Sequence, residues 1–157
     1  MELVLWRHAE AEDAGNGILD LERKLTAKGE KQARRVAQWL NDRLPDATRI
    51  LVSPAVRTQQ TAQALVELSD RKWKTVPAIA PGAEVDAFLA AVNWPHARHP
   101  VVAVGHQPTL GLVASRLLTG TSLPWVVKKG QIWWISSRAD NGDALASLVA
   151  AIGPGQL

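Results

Sequence analysis

Three short apolar segments of this chain each lead directly into basic or imidazole side chains. The pairs are residues 3–6 (LVLW) with Arg7 and His8, residues 50–52 (ILV) with the nearby Arg57, and residues 101–104 (VVAV) with His106. Apolar runs of this length are typical of strands buried in a parallel sheet. In open α/β sheets, ligands bind at the carboxyl ends of the strands. The three segments therefore predict that two arginines and two histidines meet at one edge of such a sheet.

The segments between these strands have the spacing of helices. Helices are predicted from the N-cap Thr26 to about residue 44, from Ser53 as N-cap with Pro54 next, over residues 85–92, and from Pro108 to about residue 118. A short strand is predicted over residues 74–79, and a hairpin with a turn at Asn141-Gly142 joins residues 131–136 to residues 144–152. This order predicts a three-layer α/β/α sandwich whose sheet is mostly parallel with an antiparallel edge.

Length and composition indicate a single globular domain over residues 1–157. Cysteine is absent, which excludes disulfides, thiolate metal sites and cysteine nucleophiles. Glu2 stands where a signal peptide carries basic residues, and no apolar run approaches the ~18 residues of a membrane span. We therefore expect a cytoplasmic protein without membrane association.

The net charge of +3 is small, although the chain contains 18 lysines and arginines. A nucleic-acid-binding protein concentrates its basic residues on one face, often interleaved with aromatic residues, and no such pattern is present. The densest basic group, at residues 28–35, is interrupted by Glu30 and is typical of a solvated helix face. We expect no nucleic-acid partner, and docking of an acidic protein at this helix is the alternative.

Two arginines and two histidines at one site suit phosphoryl transfer. Catalysis of this reaction depends mainly on positioning and on electrostatic stabilisation, and the arginine fork binds two phosphate oxygens at once. Arg7 and Arg57 are the candidates for this clamp. One histidine would attack phosphorus, with its other ring nitrogen donating to an acceptor that the sequence does not reveal. The second histidine would be protonated and would stabilise the phosphoryl oxygens. Chemistry alone leaves open whether His8 or His106 is the nucleophile.

Four segments of the chain resemble the motifs of the histidine phosphatase superfamily, whose fold is that of phosphoglycerate mutase. They are residues 5–10 (LWRHAE), 25–33 (LTAKGEKQA), 53–62 (SPAVRTQQTA) and 104–108 (VGHQP), and they occur in the family's order. The resemblance implies that His8 is the phosphorylated nucleophile, that Arg7, Arg57 and His106 complete the pocket, and that neither a metal nor another cofactor is needed.

The short chain is similar to the SixA-type phosphohistidine phosphatases of this superfamily. This similarity implies a phosphohistidine-bearing signalling or phosphotransfer protein as substrate, and Asp20 and Arg23 as further residues that border the pocket. Glu84, just before a predicted helix, is the candidate general acid that an alkoxide leaving group would need. An acidic residue at a helix N-terminus is equally explained by the helix dipole.

Two alternative functions stay open at this point. One is a phosphatase acting on a small phosphate ester, for which Glu84 would matter. The other is a binding module that holds a phosphorylated partner without turnover, and the presence of all four pocket residues argues against it. Residues 9–25 are predicted as a long loop over the end of the first strand, and long loops in compact domains are often functional.

Overall fold

The computed structural model describes residues 1–140 and 143–157, and its centre is a six-stranded sheet. The strands are β1 (Glu2–Arg7), β2 (Arg49–Val52), β3 (Trp73–Thr75), β4 (Val101–Gly105), β5 (Ile132–Asp140) and β6 (Asp143–Ile152). Their order across the sheet is β3-β2-β4-β1-β5-β6. The first four strands in this order are mutually parallel, and β5 is antiparallel to both β1 and β6. The predicted mixture of parallel sheet and antiparallel edge is confirmed.

Four helices cover the two faces of this sheet. They are α1 (Ala27–Asn41), α2 (Val56–Val66), α3 (Val85–Ala91) and α4 (Thr109–Thr119). On one face, Val36 of α1 and Leu65 of α2 pack with Val4 of β1 in a fully buried cluster. On the other face, Phe88 of α3 and Leu110 of α4 pack with Leu3 and Leu5, the residues on either side of Val4 in β1. The architecture is therefore a three-layer α/β/α sandwich, and α1 and α2 lie on the face opposite α3 and α4.

Three boundaries differ from the predictions. Helix α2 has Ala55 as its N-cap rather than Ser53, whose hydroxyl instead accepts a hydrogen bond from the Ala55 amide. Strand β3 ends at Thr75 instead of continuing to residue 79, because Pro77 lacks an amide donor and starts a 3₁₀ turn, Pro77–Ile79. Helix α1 ends at Asn41, before the predicted residue 44. The predicted Asn141-Gly142 turn lies outside the described residues.

The segment between β1 and α1 is held by specific backbone contacts. A bridge joins Ala11 to Leu25, and a 3₁₀ turn occupies Asp20–Glu22. Thr26 is the N-cap of α1, as predicted, and its hydroxyl oxygen accepts a hydrogen bond from the Gly29 amide at 3.0 Å. In the part of the chain that the structure describes, we find no helix both long and apolar enough to cross a membrane.

The first turn of α1 packs directly on the backbone that follows β1. A methyl group added at Gly29 would lie 2.0 Å from the carbonyl oxygen of Glu10, closer than any side-chain carbon approaches an oxygen. Only glycine fits here without moving either the helix or the segment that carries His8. Gly29 therefore links the packing of α1 to the position of the candidate site.

We predict that Gly29→Ala lowers the free energy of unfolding by about 2 kcal/mol, because overpacking against backbone outweighs the better helix propensity of alanine. Chemical denaturation followed by circular dichroism measures this change. Gly155→Ala is the matched control, because its added methyl group would meet nothing within 4 Å. Equal stability of the two variants would contradict the prediction.

Candidate active site

The pairing of β1 with β4 places His8 beside His106. Arg7 is the register partner of Gly105, so each histidine is the next residue along one of two adjacent parallel strands. The two ring centroids are 5.4 Å apart, and both side chains are about 5% exposed. Arg57, from the first turn of α2, reaches the same place and is equally buried. We call Arg7, His8, Arg57 and His106 the four-residue cluster.

The ring of His8 is oriented by the backbone of the next residue. Its Nδ1 lies 2.7 Å from the carbonyl oxygen of Ala9, which only accepts hydrogen bonds, so Nδ1 carries the proton. Burial lowers the pKa of His8 to about 4, and the neighbouring arginines act in the same direction, although the Ala9 hydrogen bond partly opposes them. At neutral pH, His8 is therefore uncharged and its Nε2 has a free electron pair. The acceptor that the sequence could not reveal is the Ala9 carbonyl.

His106 is held between a hydroxyl and a guanidinium. Nη2 of Arg57 lies 3.3 Å from Nδ1 of His106, and because a guanidinium only donates, this nitrogen is the acceptor. Nε2 then carries the proton and donates to Oγ of Ser53 at 2.7 Å. Burial lowers the pKa of His106 to about 3, with a further contribution from the charge of Arg57. In the free protein His106 is therefore uncharged at neutral pH, whereas the protonated form was predicted for the site with a phosphoryl group bound and stays a prediction.

Ser53 is a residue of the site that the sequence analysis did not assign to it. The pattern Ser-Pro predicted a helix cap, but the hydroxyl faces His106 because α2 begins three residues later, at Val56. The signal available in the sequence was the position of Ser53 directly after the predicted strand, and in the structure this serine is fully buried. A serine at the end of a predicted central strand belongs to the same edge as the other site residues.

Asp20 and Arg23 extend the cluster. Nη1 of Arg57 donates to the carbonyl oxygen of Asp20 at 2.8 Å, and Nη2 lies 3.2 Å from its Oδ2. The other carboxylate oxygen, Oδ1, lies 3.3 Å from Nε of Arg23. The Asp20 carboxylate thus bridges two arginines, in the way that an incoming phosphate group would. It holds both guanidinium groups beside the two histidines.

Arg7 has a different partner from Arg57. Its Nη1 donates to the carbonyl oxygen of Val127 at 2.9 Å, and within residues 1–140 and 143–157 the guanidinium has no acidic partner. Partial burial lowers the pKa of Arg7, and the charge of Arg57 lowers it further. Two cations that repel each other at one site, one half-buried and one buried, favour the binding of an anion there.

Three polar side chains hold the segment after His8 in place. Oγ1 of Thr61 accepts from the Ala9 amide at 3.1 Å, and Oε1 of Gln32 accepts from the Glu10 amide at 3.0 Å. Oε1 of Gln60 accepts from the Leu25 amide at 2.7 Å. All three belong to the motifs quoted above, but the motifs alone carried no physical reason for these residues. Their role is to fix the backbone that orients the nucleophile candidate.

Glu84 lies outside these contacts. It is the N-cap residue of α3, its side chain is exposed, and it makes no capping hydrogen bond. Among the described residues, its carboxylate has no ion pair with the four-residue cluster. A role for Glu84 as general acid therefore stays a prediction, without support from a contact.

The comparisons with known proteins agree with this geometry. Residues 3–80 match the model of the histidine phosphatase superfamily, branch 1. A phosphohistidine phosphatase SixA homolog of Haemophilus influenzae is 30% identical over 129 residues, which are 74% of this chain and 77% of that protein. An uncharacterized protein of Picosynechococcus is 38% identical over 126 residues, which are 76% of this chain and 74% of the relative. The chain belongs to the histidine phosphatase superfamily.

Solved structures place the chain among SixA-like folds. A Nakamurella multipartitia protein provisionally named phosphohistidine phosphatase SixA is 29% identical, with a TM-score of 0.80 over 98% of this chain and 95% of that chain. An Escherichia coli protein provisionally named α-ribazole-5'-phosphate phosphatase has a TM-score of 0.74 over 98% of both chains. Its identity is 18%, so this second likeness shows the fold alone. The predicted phosphoglycerate mutase-like fold and the family resemblance are both confirmed.

We predict that His8 and His106 stay neutral in the folded protein well below the ~6.5 of a free imidazole. The unfolded chain therefore takes up protons first as the pH falls, and the free energy of unfolding decreases from about pH 6.5 downward toward the folded pKa values near 4 and 3. Ring ¹⁵N chemical shifts give both pKa values, and denaturation at pH 7 and pH 5 gives the stability. Titration of either ring near pH 6.5 would contradict the prediction.

Proposed function

We propose that this protein is a cytoplasmic, metal-independent phosphohistidine phosphatase that works through a covalent phospho-His8 intermediate. The observation that carries the proposal is the ring of His8, which donates through Nδ1 to the Ala9 carbonyl and is uncharged at neutral pH. Its free Nε2 is a nucleophile in a ring that is close enough to Arg57 and Arg7 for both charges to lower its pKa. No other imidazole in the four-residue cluster has a nitrogen free of hydrogen-bonded neighbours, since both nitrogens of His106 are engaged.

In the first step, Nε2 of His8 attacks the phosphorus atom of the substrate. The new P–N bond forms as the bond from phosphorus to the substrate imidazole breaks, and the electron pair stays on that leaving nitrogen. Because the Nδ1 proton of His8 is retained, the phosphorylated ring is positively charged, and the Ala9 carbonyl stabilises it. Arg7 and Arg57 bind the phosphoryl oxygens and stabilise their negative charge in the transition state.

In the second step, water attacks the phosphorus of phospho-His8. The P–Nε2 bond breaks, its electron pair returns to the His8 ring, and inorganic phosphate leaves with the oxygen of that water. Binding of a dianionic phosphoryl group offsets the positive field of the arginines, so it raises the pKa of His106. Since Nε2 of His106 already donates to Ser53, the added proton goes to Nδ1, which then no longer accepts from Arg57 and leaves that N–H of Arg57 available to a phosphoryl oxygen.

Two observations favour phosphohistidine over a phosphate ester. An imidazole with a proton on its other nitrogen leaves as a neutral molecule and needs no general acid, whereas an alkoxide does. The one candidate acid, Glu84, is exposed and makes no ion pair with the cluster among the described residues. The similarity to a SixA homolog supports the same substrate class.

Turnover of two substrates in EDTA tests the proposal. We expect fast, EDTA-resistant loss of phosphate from a histidine-phosphorylated phosphotransfer domain, and slow hydrolysis of p-nitrophenyl phosphate. His8→Ala should lower the rate on the phosphoprotein by at least ~10³-fold, because it removes the nucleophile. His99→Ala is the matched control, since this histidine is exposed and lies before β4, and it should leave the rate unchanged.

Other outcomes identify the alternatives. Efficient hydrolysis of a small alkyl phosphate ester that Glu84→Gln abolishes, with the phosphoprotein untouched, would show a small-ester phosphatase instead, because an alkoxide needs a proton donor whereas nitrophenolate leaves without one. Tight binding of the phosphoprotein with no turnover would show a binding module. Loss of activity in EDTA that added metal restores would contradict metal independence.

A further inference from the structure

Exposed aliphatic side chains flank the aspartate that contacts Arg57. The fractional exposures are 40% for Ile18, 66% for Leu19 and 47% for Leu21, on either side of Asp20 in the chain. Single exposed aliphatic residues are common on protein surfaces and need no explanation. Three within four positions, around a residue hydrogen-bonded to a pocket arginine, form a local apolar surface at the site.

A second exposed apolar segment contacts the other pocket arginine, Arg7. Leu123 is 44% exposed and Val126 is 66% exposed, and the carbonyl of the next residue, Val127, accepts the hydrogen bond from Arg7. Leu19 and Val126 are thus the most exposed large aliphatic residues among those described. Each lies one residue away from a direct partner of a pocket arginine.

The second segment is held rigidly although its side chains face outward. Nε2 of Gln107 donates to the carbonyl oxygen of Trp125 at 2.8 Å, and Oε1 of Gln107 accepts from the Gly111 amide at 2.8 Å. A methyl group at Gly111 would collide with the same Trp125 carbonyl. The segment is therefore packed against α4, and its exposed side chains are presented in a fixed position rather than on a loose loop.

A groove adjoins the first segment. Its volume is about 550 Å³, and Ile18 and Val56 line it together with Glu12, Glu22 and Lys24. Val56 is the residue directly before Arg57 in the chain, so this groove and the four-residue cluster both involve the first turn of α2. An aliphatic side chain of a partner protein could be buried there while a phosphohistidine of the same protein lies at the arginines.

We infer that Ile18, Leu19, Leu21, Leu123 and Val126 form an apolar docking rim that binds the surface of a phosphorylated protein around its phosphohistidine. This inference rests on the proposed function and adds to it the part of the enzyme that selects protein substrates. A small phosphate ester is held inside a concave pocket and would leave outward-facing aliphatic side chains in water. A protein surface around the phosphohistidine would cover them, while its phosphoryl group complements the charge of Arg7 and Arg57.

A pair of serine substitutions tests the rim. Leu19→Ser combined with Val126→Ser should lower kcat/KM on the histidine-phosphorylated phosphotransfer domain by roughly tenfold, mainly through KM, because two apolar contacts are lost. Hydrolysis of p-nitrophenyl phosphate should stay within about twofold of the unmodified protein. Leu148→Ser combined with Val149→Ser is the matched control, since both residues are exposed on the edge strand β6 and should change neither substrate.

The alternative results separate the possible failures. Unchanged kcat/KM on the phosphoprotein would overturn the rim, and so would an equal loss on both substrates, which would show a structural role for these residues. A comparable loss in the β6 control would also overturn it, because the effect would not be specific to the site. If the unmodified protein fails to dephosphorylate the phosphoprotein at all, the proposed function itself fails, and the inference fails with it.

Discussion

The parallel pairing of β1 with β4 is the constraint on which the candidate site depends. With Arg7 opposite Gly105, the chain leaves two neighbouring strands at the same level, and His8 and His106 face each other across 5.4 Å. Both strands are buried by helices on each face, so the register has little freedom to slip. A shift of one residue would turn every side chain of β1 to the opposite face and would separate the two imidazoles.

The electrostatics of the site follow from burial together with this geometry. Two arginines share a small buried volume with two imidazoles, and the only carboxylate that touches this group among the described residues, Asp20, bridges Arg57 and Arg23. Under these conditions the histidines rather than the arginines become neutral, because the pKa of an imidazole is already close to neutral pH and that of a guanidinium is far above it. Burial keeps His8 uncharged and therefore nucleophilic, and the positive field of the arginines adds to this effect. The same field attracts a phosphoryl group, so one arrangement of residues serves both binding and activation.

The sequence predicted the layers, the parallel sheet and the meeting of Arg7, His8, Arg57 and His106, because apolar strands and the residues that follow them have a strong local pattern. The contact between the Ser53 hydroxyl and His106 and the orienting role of the Ala9 carbonyl were not predictable in this way. They depend on where α2 begins and on how the backbone turns after β1, which are set by packing. The uncharged state of His106 in the free protein was not predicted, because burial, which lowers its pKa, is not visible in a motif. The outer aliphatic residues, such as Leu19 and Val126, carry no motif at all, and only their exposure in the fold singles them out.

The central claim is that Nε2 of His8 becomes covalently bonded to phosphorus. Rapid mixing with the histidine-phosphorylated phosphotransfer domain, an alkaline quench, and mass spectrometry with ³¹P NMR of the trapped protein would locate the phosphoryl group. We predict that it lies on Nε2 of His8, because Nδ1 is engaged by the Ala9 carbonyl. A phosphoryl group on Nδ1 of His8 or on His106, or turnover of the substrate with no phosphorylated protein at any time, would contradict this account.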